Sequence, residues 1–167
     1  MKHFASFDSS FWIHVHRAGL LALVLERYAL RFAPVVASEL RETFPSGRAF
    51  WECVRDGQIT EVAPRLQTVQ EFGPGERAAM NVALEHRDWL LLLDDQRPFR
   101  DATARGLRAI CSPVLVVALY VEGRIGAQEA LTSLARLAAL GTVSPHLVAA
   151  ALAQLGTVLR AARKEGD

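Results

Sequence analysis

Four consecutive leucines, Leu90 to Leu93, run straight into two aspartates in the stretch LLLLDDQR. A strand with one face in water alternates apolar and polar residues, whereas an unbroken apolar run suits a strand buried on both faces, as in parallel sheets covered by helices. That requirement points the chain toward an α/β architecture. The segments HFASF (3–7), ALRFAPVV (29–36), QITEVA (58–63) and LRAIC (107–111) read as further short strands, with QITEVA at an edge.

Helical spacing fills the intervals. From Phe11 to Tyr28 apolar residues recur at three and four, with Gly19 dividing the segment into two helices. Ser38 to Thr43 reads as the opening of a helix carrying Glu39 and Glu42, and residues 45–58 as a helix closed at Gly57. GPGERAAMNVALEHRD predicts a helix over about residues 75–86, Phe99 to Arg105 one that stops at Gly106, and SPVLVVALYVEG another with Pro near its first turn. Strand and helix alternate, which predicts a mostly parallel sheet covered on both faces. After Ile125 the pattern becomes a pair of Ala- and Leu-rich helices, about 127–140 and 145–163, joined by GTVSP, with Ser144 as N-cap and Pro145 at the first helical position. Residues 1–125 thus read as the α/β unit and 126–167 as a helical hairpin packed on the same domain, with the basic end RAARKEGD (160–167) frayed.

A chain of 167 residues with 51% hydrophobic content supports one well-cored domain. Its formal net charge of +1 neither announces nor excludes a nucleic-acid partner, so any electrostatic role comes from local clustering. Cys53 and Cys111 lack the spacing of a zinc site and form too thin a framework for a secreted domain, which fits a reducing cytoplasm. Asp8 interrupts any signal peptide; Glu26, Arg27 and Arg31 interrupt the apolar segment 19–36, and 113–121 is too short to span a bilayer, so no membrane anchor is expected.

In an open parallel sheet the ligand crevice lies beyond the carboxyl ends of the strands. Asp8 follows the first strand, Glu39 lies shortly after the second, Glu76 opens the helix after GPG, and Asp94 and Asp95 end the four-leucine strand. Each has a plainer use: Asp8 before two serines has the form of a helix cap, Glu39 and Glu76 suit first turns, and Asp94 and Asp95 suit a turn. Taken together they are carboxylates delivered by four segments toward one edge. Two such charges 4 Å apart repel by about 4 kcal/mol at an effective dielectric of 20, so a cation is what would hold them ionised together. Oxygen donors select Mg²⁺ or Mn²⁺ over zinc, and such an ion activates water for in-line attack on a phosphodiester.

The motifs FDSS (7–10), APVVASELRE (33–42), GPGERAAMNVAL (73–84) and LLLLDDQRPFRDATARGLRAI (90–110) resemble those of the PIN-domain nucleases, in the branch of VapC-like toxins and their prokaryotic relatives. The tail EGRIGAQEALTSLARLAALGTVSPHLVAAAL is similar to the helical end of that branch, so the resemblance covers nearly the whole chain. It implies a three-layer α/β/α fold with a mostly parallel central sheet, and an acidic pocket holding one or two Mg²⁺ or Mn²⁺ ions. The implied activity is endoribonuclease chemistry in which a metal-bound water attacks RNA, with the protein as toxin of a toxin–antitoxin pair restrained by a small antitoxin, or a related stand-alone nuclease. Asp8, Glu39, Glu76 and Asp95 would form the catalytic acidic set, with Asp94 as neighbour or alternative. Asp8, Glu76, Asp95 and Asp94 would be the metal ligands, Asp95 being favoured over Asp94. Ser10 would hydrogen-bond the first aspartate.

Arg97, Arg100 and Arg105 recur close to helical spacing, with Arg97 and Arg100 as candidate RNA-phosphate contacts and charge compensation of the acidic turn as the competing use. His14 and His16, two apart on a helix, do not share a face and are not expected to bind metal. Trp12, Trp51 and Trp89 read as core or interface anchors, and Leu20 to Leu25 carries more apolar residues than one helix face of a small domain needs, which suggests a homodimer. No glycine-rich phosphate loop follows the first strand, which argues against a nucleotide-binding doubly wound domain. The alternative function is a catalytically silent PIN-like module that binds RNA or a protein partner.

Overall fold

The computed structural model describes residues 1–165, with side chains as far as residue 162. Five strands, β1 (His3–Phe7), β2 (Tyr28–Phe32), β3 (Thr60–Glu61), β4 (Leu90–Leu92) and β5 (Arg108–Ile110), form one sheet in the order β3-β2-β1-β4-β5, and every pairing is parallel. Helices α1 (Ser9–Arg17), α2 (Leu21–Arg27), α3 (Pro34–Glu39), α4 (Pro45–Arg55), α5 (Pro74–Glu85), α6 (Gln96–Ala104), α7 (Ser112–Val121), α8 (Ala127–Ala139) and α9 (Pro145–Glu165) fill the connections and the tail.

The four leucines divide between two cores. Leu90 and Leu92 join Phe7, Phe11, Trp12, Phe50 and Leu115 on one face of the sheet, while Leu91 and Leu93 join Met80, Ala83, Ala102 and Leu107 under α5 and α6 on the other. Each leucine is at most 7% exposed. Full burial stabilises such a side chain by about 1.5–3 kcal/mol, so the run anchors three layers at once. The α/β/α architecture with a parallel central sheet is therefore as expected.

Helix α7 lies against α8 and α9, whose Ala130, Leu134, Leu137, Val148, Ala151 and Leu155 are buried in the same core as β1 and β2. Leu21, Leu23 and Leu25 are half-buried against that core as well, which accounts for the apolar richness of α2 within one protomer. Trp12 is buried, and half-buried Trp89 stacks between Phe4 and His86. Among the described residues no helix is long and apolar enough to cross a membrane. Burial pushes the Cys111 thiol up to about 12 and raises that of Cys53, which disfavours the thiolate form of both.

Three local expectations are corrected. The second strand ends at Phe32 and PVV belongs to α3, because Pro34 sits at the first helical turn, where its fixed φ and missing N–H cost nothing. Glu39 consequently closes α3 instead of opening a helix. Ser144 does stand at the N-cap position with Pro145 as the first helical residue, its carbonyl receiving the Leu147 and Val148 amides, while its hydroxyl turns toward Gln96 Oε1 at 3.4 Å. Of the tail expected to fray, α9 extends through Glu165, and residues 166–167 lie outside the described residues.

Candidate active site

The chain lays down β1, β2 and β3 toward one edge and then returns to place β4 on the other side of β1. The reversal makes the β1/β4 boundary the topological switch point, where adjacent connections leave in opposite directions and open a crevice. Phe7 pairs with Leu92, and the Asp8 amide donates to the Leu92 carbonyl at 3.4 Å. Asp8 and Asp94 therefore emerge side by side.

Asp8 is 1% exposed, and its Oδ1 accepts the Phe11 amide at 2.9 Å, so it caps α1 while facing the crevice. Burial holds its carboxyl well above the ordinary aspartate range; the Phe11 amide opposes this, and the negative charges of Asp94, Glu76 and Glu39 add to it. Glu76 is raised as well, first by burial and then by Asp95, with Glu39 contributing. A cavity of about 260 Å³ is lined by Asp8, Ser9, Ser10, Glu39, Gly75 and Glu76, with no Lys or Arg among them.

The two glycines of GPGE make room for two carboxylates. A methyl on Gly75 would stand 2.5 Å from Glu39 Oε2, and one on Gly73 would overlap the Glu76 carboxylate, which folds back toward the Gly73 backbone at the start of α5. Just before them Phe72 takes a left-handed φ of 73°, a conformation costing a non-glycine residue about 1 kcal/mol or more. Ser9 Oγ donates to Glu39 Oε2 at 2.5 Å. The serine hydroxyl expected to bind Asp8 is thus not found on Ser10. Asp8 takes a backbone amide, Ser9 serves Glu39, and Ser10 lines both this cavity and the next.

The doubled aspartate splits into unlike halves. Asp94 is 1% exposed and surrounded by donors: the Ser112 amide at 2.5 Å on Oδ1, and Ser112 Oγ and His14 Nδ1, each at 2.7 Å, on Oδ2. Asp95 is exposed and caps α6, accepting the Arg97 amide at 3.3 Å. A polar cavity of about 320 Å³ lies beside them, its walls including Ser10, His14, Arg97, Thr142 and Ser144. Arg97 and Arg100 are exposed and form no ion pair among the described residues, whereas Arg105 pairs with Asp101 at 2.6 Å and more loosely with Glu71.

Asp8, Glu39, Glu76, Asp94 and Asp95 are thus gathered at one end of the sheet. As the side chains stand, no three His, Cys, Asp or Glu groups among the described residues close around a single ion. The donor set nonetheless suits a hard divalent cation: oxygen donors of like charge, with the Asp8 and Glu76 carboxyls raised first by burial and then by their acidic neighbours, beside a cavity lined by no Lys or Arg. Ser9, His14, Gly73, Gly75, Ser112 and Thr142 support the site without having been singled out for it by sequence. Only the GPGE spacing hints at any of them.

No curated protein matches the chain in sequence. A PilT N-terminus domain protein from the hyperthermophilic archaeon Sulfolobus solfataricus P2 resembles it at 16% identity and a TM-score of 0.39, over 65% of this chain and 86% of that one. The PIN-domain family model matches residues 5–157, which spans both the sheet with its acidic end and most of the helical tail. The chain belongs to the PIN-domain family, whose members are typically divalent-metal-dependent nucleases.

Proposed function

We propose that the protein is a Mg²⁺- or Mn²⁺-dependent endoribonuclease. The observation that carries this reading is the set of carboxylates that four segments bring to the β1/β4 end of the sheet: Asp8, Glu39 and Glu76 around a cavity lined by no Lys or Arg, with Asp94 and Asp95 along the adjoining one. Asp8, Glu76, Asp95 and Asp94 would hold the ion, with Glu39 completing the acidic set. When bound, the cation lowers the pKa of water toward neutrality and offsets the charge of the phosphodiester in attack.

The protein's own contribution is orientation. Phe11 N–H aims Asp8, Ser9 aims Glu39, the first turn of α5 aims Glu76, and Ser112 with His14 hold Asp94. Arg97 reaches the polar cavity beside the aspartates, where its guanidinium suits an RNA phosphate, and Arg100 is available one turn on. Within the proposal the protein acts as the toxin of a toxin–antitoxin pair, restrained by a small antitoxin; the homodimer loses its residue-level ground, since the apolar residues of α2 pack on the chain's own core.

One observation favours a silent RNA- or protein-binding module: among the described residues no three carboxylates enclose a common point as they stand. A single experiment separates the readings. RNA incubated with the protein in Mn²⁺ should be cut, and chelator, Asp8→Asn or Glu76→Gln should each abolish cleavage with circular dichroism unchanged. Cleavage that persists in chelator or in both variants would rule the metal nuclease out, and a wild-type protein that binds RNA without cutting it would establish the module.

A further inference from the structure

We infer that the cavity between α1 and the α3–α4 turn is a nucleobase subsite, which takes one unstacked base of the RNA next to the scissile phosphate. The inference rests on the ribonuclease reading for its second half and on the cavity for its first. The cavity holds about 650 Å³ and has a mostly apolar floor that includes Ile13 and buried Leu40. Glu39 lines both this cavity and the acidic one, so the two adjoin at that residue and an occupant of the first borders the acidic site.

Three features of the rim select a nucleotide. Phe44 is 60% exposed, and among the described residues it stacks on no other aromatic ring, unlike exposed Phe4, which lies on Trp89. An aromatic face left in water beside a cavity is a stacking platform for a base. Arg17 and Arg41 flank the same cavity, are exposed, and make no ion pair among the described residues. Two free guanidiniums supply the positive charge that a ribose-phosphate backbone needs as it passes from an apolar pocket to an acidic one.

The wall is held before any ligand arrives. Trp51 Nε1 donates to the Leu40 carbonyl and Trp12 Nε1 to the Ser46 carbonyl, each at 2.8 Å, while Arg48 reaches the carbonyls of Glu42 and Thr43 at 3.3 Å. The Arg41 carbonyl rests against Gly47, where a methyl group would overlap it. Phe44 is therefore displayed from a fixed turn, which lowers the ordering cost of stacking. Bases within a duplex are stacked inside and cannot enter, so the geometry favours unpaired RNA.

The test measures kcat and KM on a short single-stranded oligoribonucleotide, on its duplex, and on a copy abasic at the nucleotide beside the cut. Phe44→Ala should raise KM on the single strand about 10-fold with kcat little changed, Phe44→Trp should restore it, and Leu152→Ala, an exposed apolar residue on α9, should change nothing. The abasic oligonucleotide should carry the same penalty in wild type and none in addition in Phe44→Ala, and the duplex should be cut poorly. Unchanged KM in Phe44→Ala, additive penalties, or a variant that loses only a protein partner would overturn the subsite. Should the wild type cut no RNA in Mn²⁺, the ribonuclease reading fails by itself. Fluorescence anisotropy of the intact and abasic strands in chelator then decides the pocket, a Phe44→Ala protein binding both as wild type does being the refuting result.

Discussion

His14 sits between Asp94 and Thr142, with Nδ1 2.7 Å from Asp94 Oδ2 and Nε2 2.9 Å from Thr142 Oγ1. One buried imidazole thus fastens α1 and the end of β4 to the α8–α9 turn. A carboxylate only accepts, so the Nδ1 proton faces Asp94, and Nε2 shares a hydrogen bond with the threonine hydroxyl. Removing the ring strands two polar groups at once. His14→Ala should lower stability by about 1–3 kcal/mol in urea melts and weaken Mn²⁺ binding by calorimetry, while Thr142→Ala, at the exposed end, should cost less. Equal stability of His14→Ala and wild type would show that the imidazole carries no structural weight.

Asp8→Asn should make the protein more stable at neutral pH. Because the folded-state pKa of Asp8 is raised, chiefly by burial and then by like charges, the folded state holds this proton at pH values where the unfolded chain has released it. Stability attributable to Asp8 is therefore present below the ordinary aspartate value and is lost as pH rises through the raised one. Asparagine removes the charge and keeps an oxygen for the Phe11 amide. Each unit of raised pKa corresponds to about 1.4 kcal/mol, and each kcal/mol to roughly 2–4 °C in a domain of this size. The expected result, in chelator, is a melting temperature several degrees above wild type at pH 7 that converges with it toward pH 4. A variant less stable than wild type at pH 7 would contradict it.

Metal should reverse that order. On the proposed metal reading, Mn²⁺ would bind the folded carboxylates and not the unfolded chain, and should raise the wild-type melting temperature as RT ln(1 + [L]/Kd), with little effect on Asp8→Asn. Differential scanning fluorimetry across a Mn²⁺ titration reads both, and equal shifts in the two proteins would place the ion elsewhere.

Gly75→Ala separates stability from activity. Alanine in a helix is favoured over glycine by about 1 kcal/mol, yet the new methyl would stand 2.5 Å from Glu39 Oε2 and displace that flexible carboxylate. Cleavage should fall at least several-fold with thermal stability equal to or above wild type. Unaltered cleavage would mean that the position of Glu39 is immaterial.

The two adjacent aspartates should part company under mutation. Asp94→Ala leaves the Ser112 amide, Ser112 hydroxyl and His14 without their acceptor and should destabilise by about 1–3 kcal/mol, whereas Asp95→Asn keeps an exposed cap on α6 and should leave stability within about 0.5 kcal/mol. If Asp95 is the metal ligand, its variant loses cleavage at full stability. An Asp95→Asn protein that cuts RNA normally would move that role to Asp94.

Much of this molecule is dictated by short-range pattern. An apolar run without alternation has to be buried on both faces wherever it lies, so Leu90 to Leu93 declared a central parallel strand before any neighbour was known. Residues that follow such strands arrive at the crevice by connectivity alone, which made Asp8, Asp94 and Asp95 legible, and Glu76 stood out behind GPG. What the sequence could not express is anything set by groups far apart along the chain. His14 lies 80 residues from Asp94 and 128 from Thr142, and the sequence says of it only that it does not share a helix face with His16. Gly73 and Gly75 read as a helix start, and only packing reveals that their missing side chains are the space occupied by Glu76 and Glu39. The division of labour between Asp94 and Asp95 follows from one turn of backbone beyond β4, which aims the first carboxylate into α1 and α7 and the second into solvent. Local periodicity determines which residues are buried and where strands end; hydrogen-bond partners and room for a side chain depend on three-dimensional proximity, and those were decided by the tertiary structure.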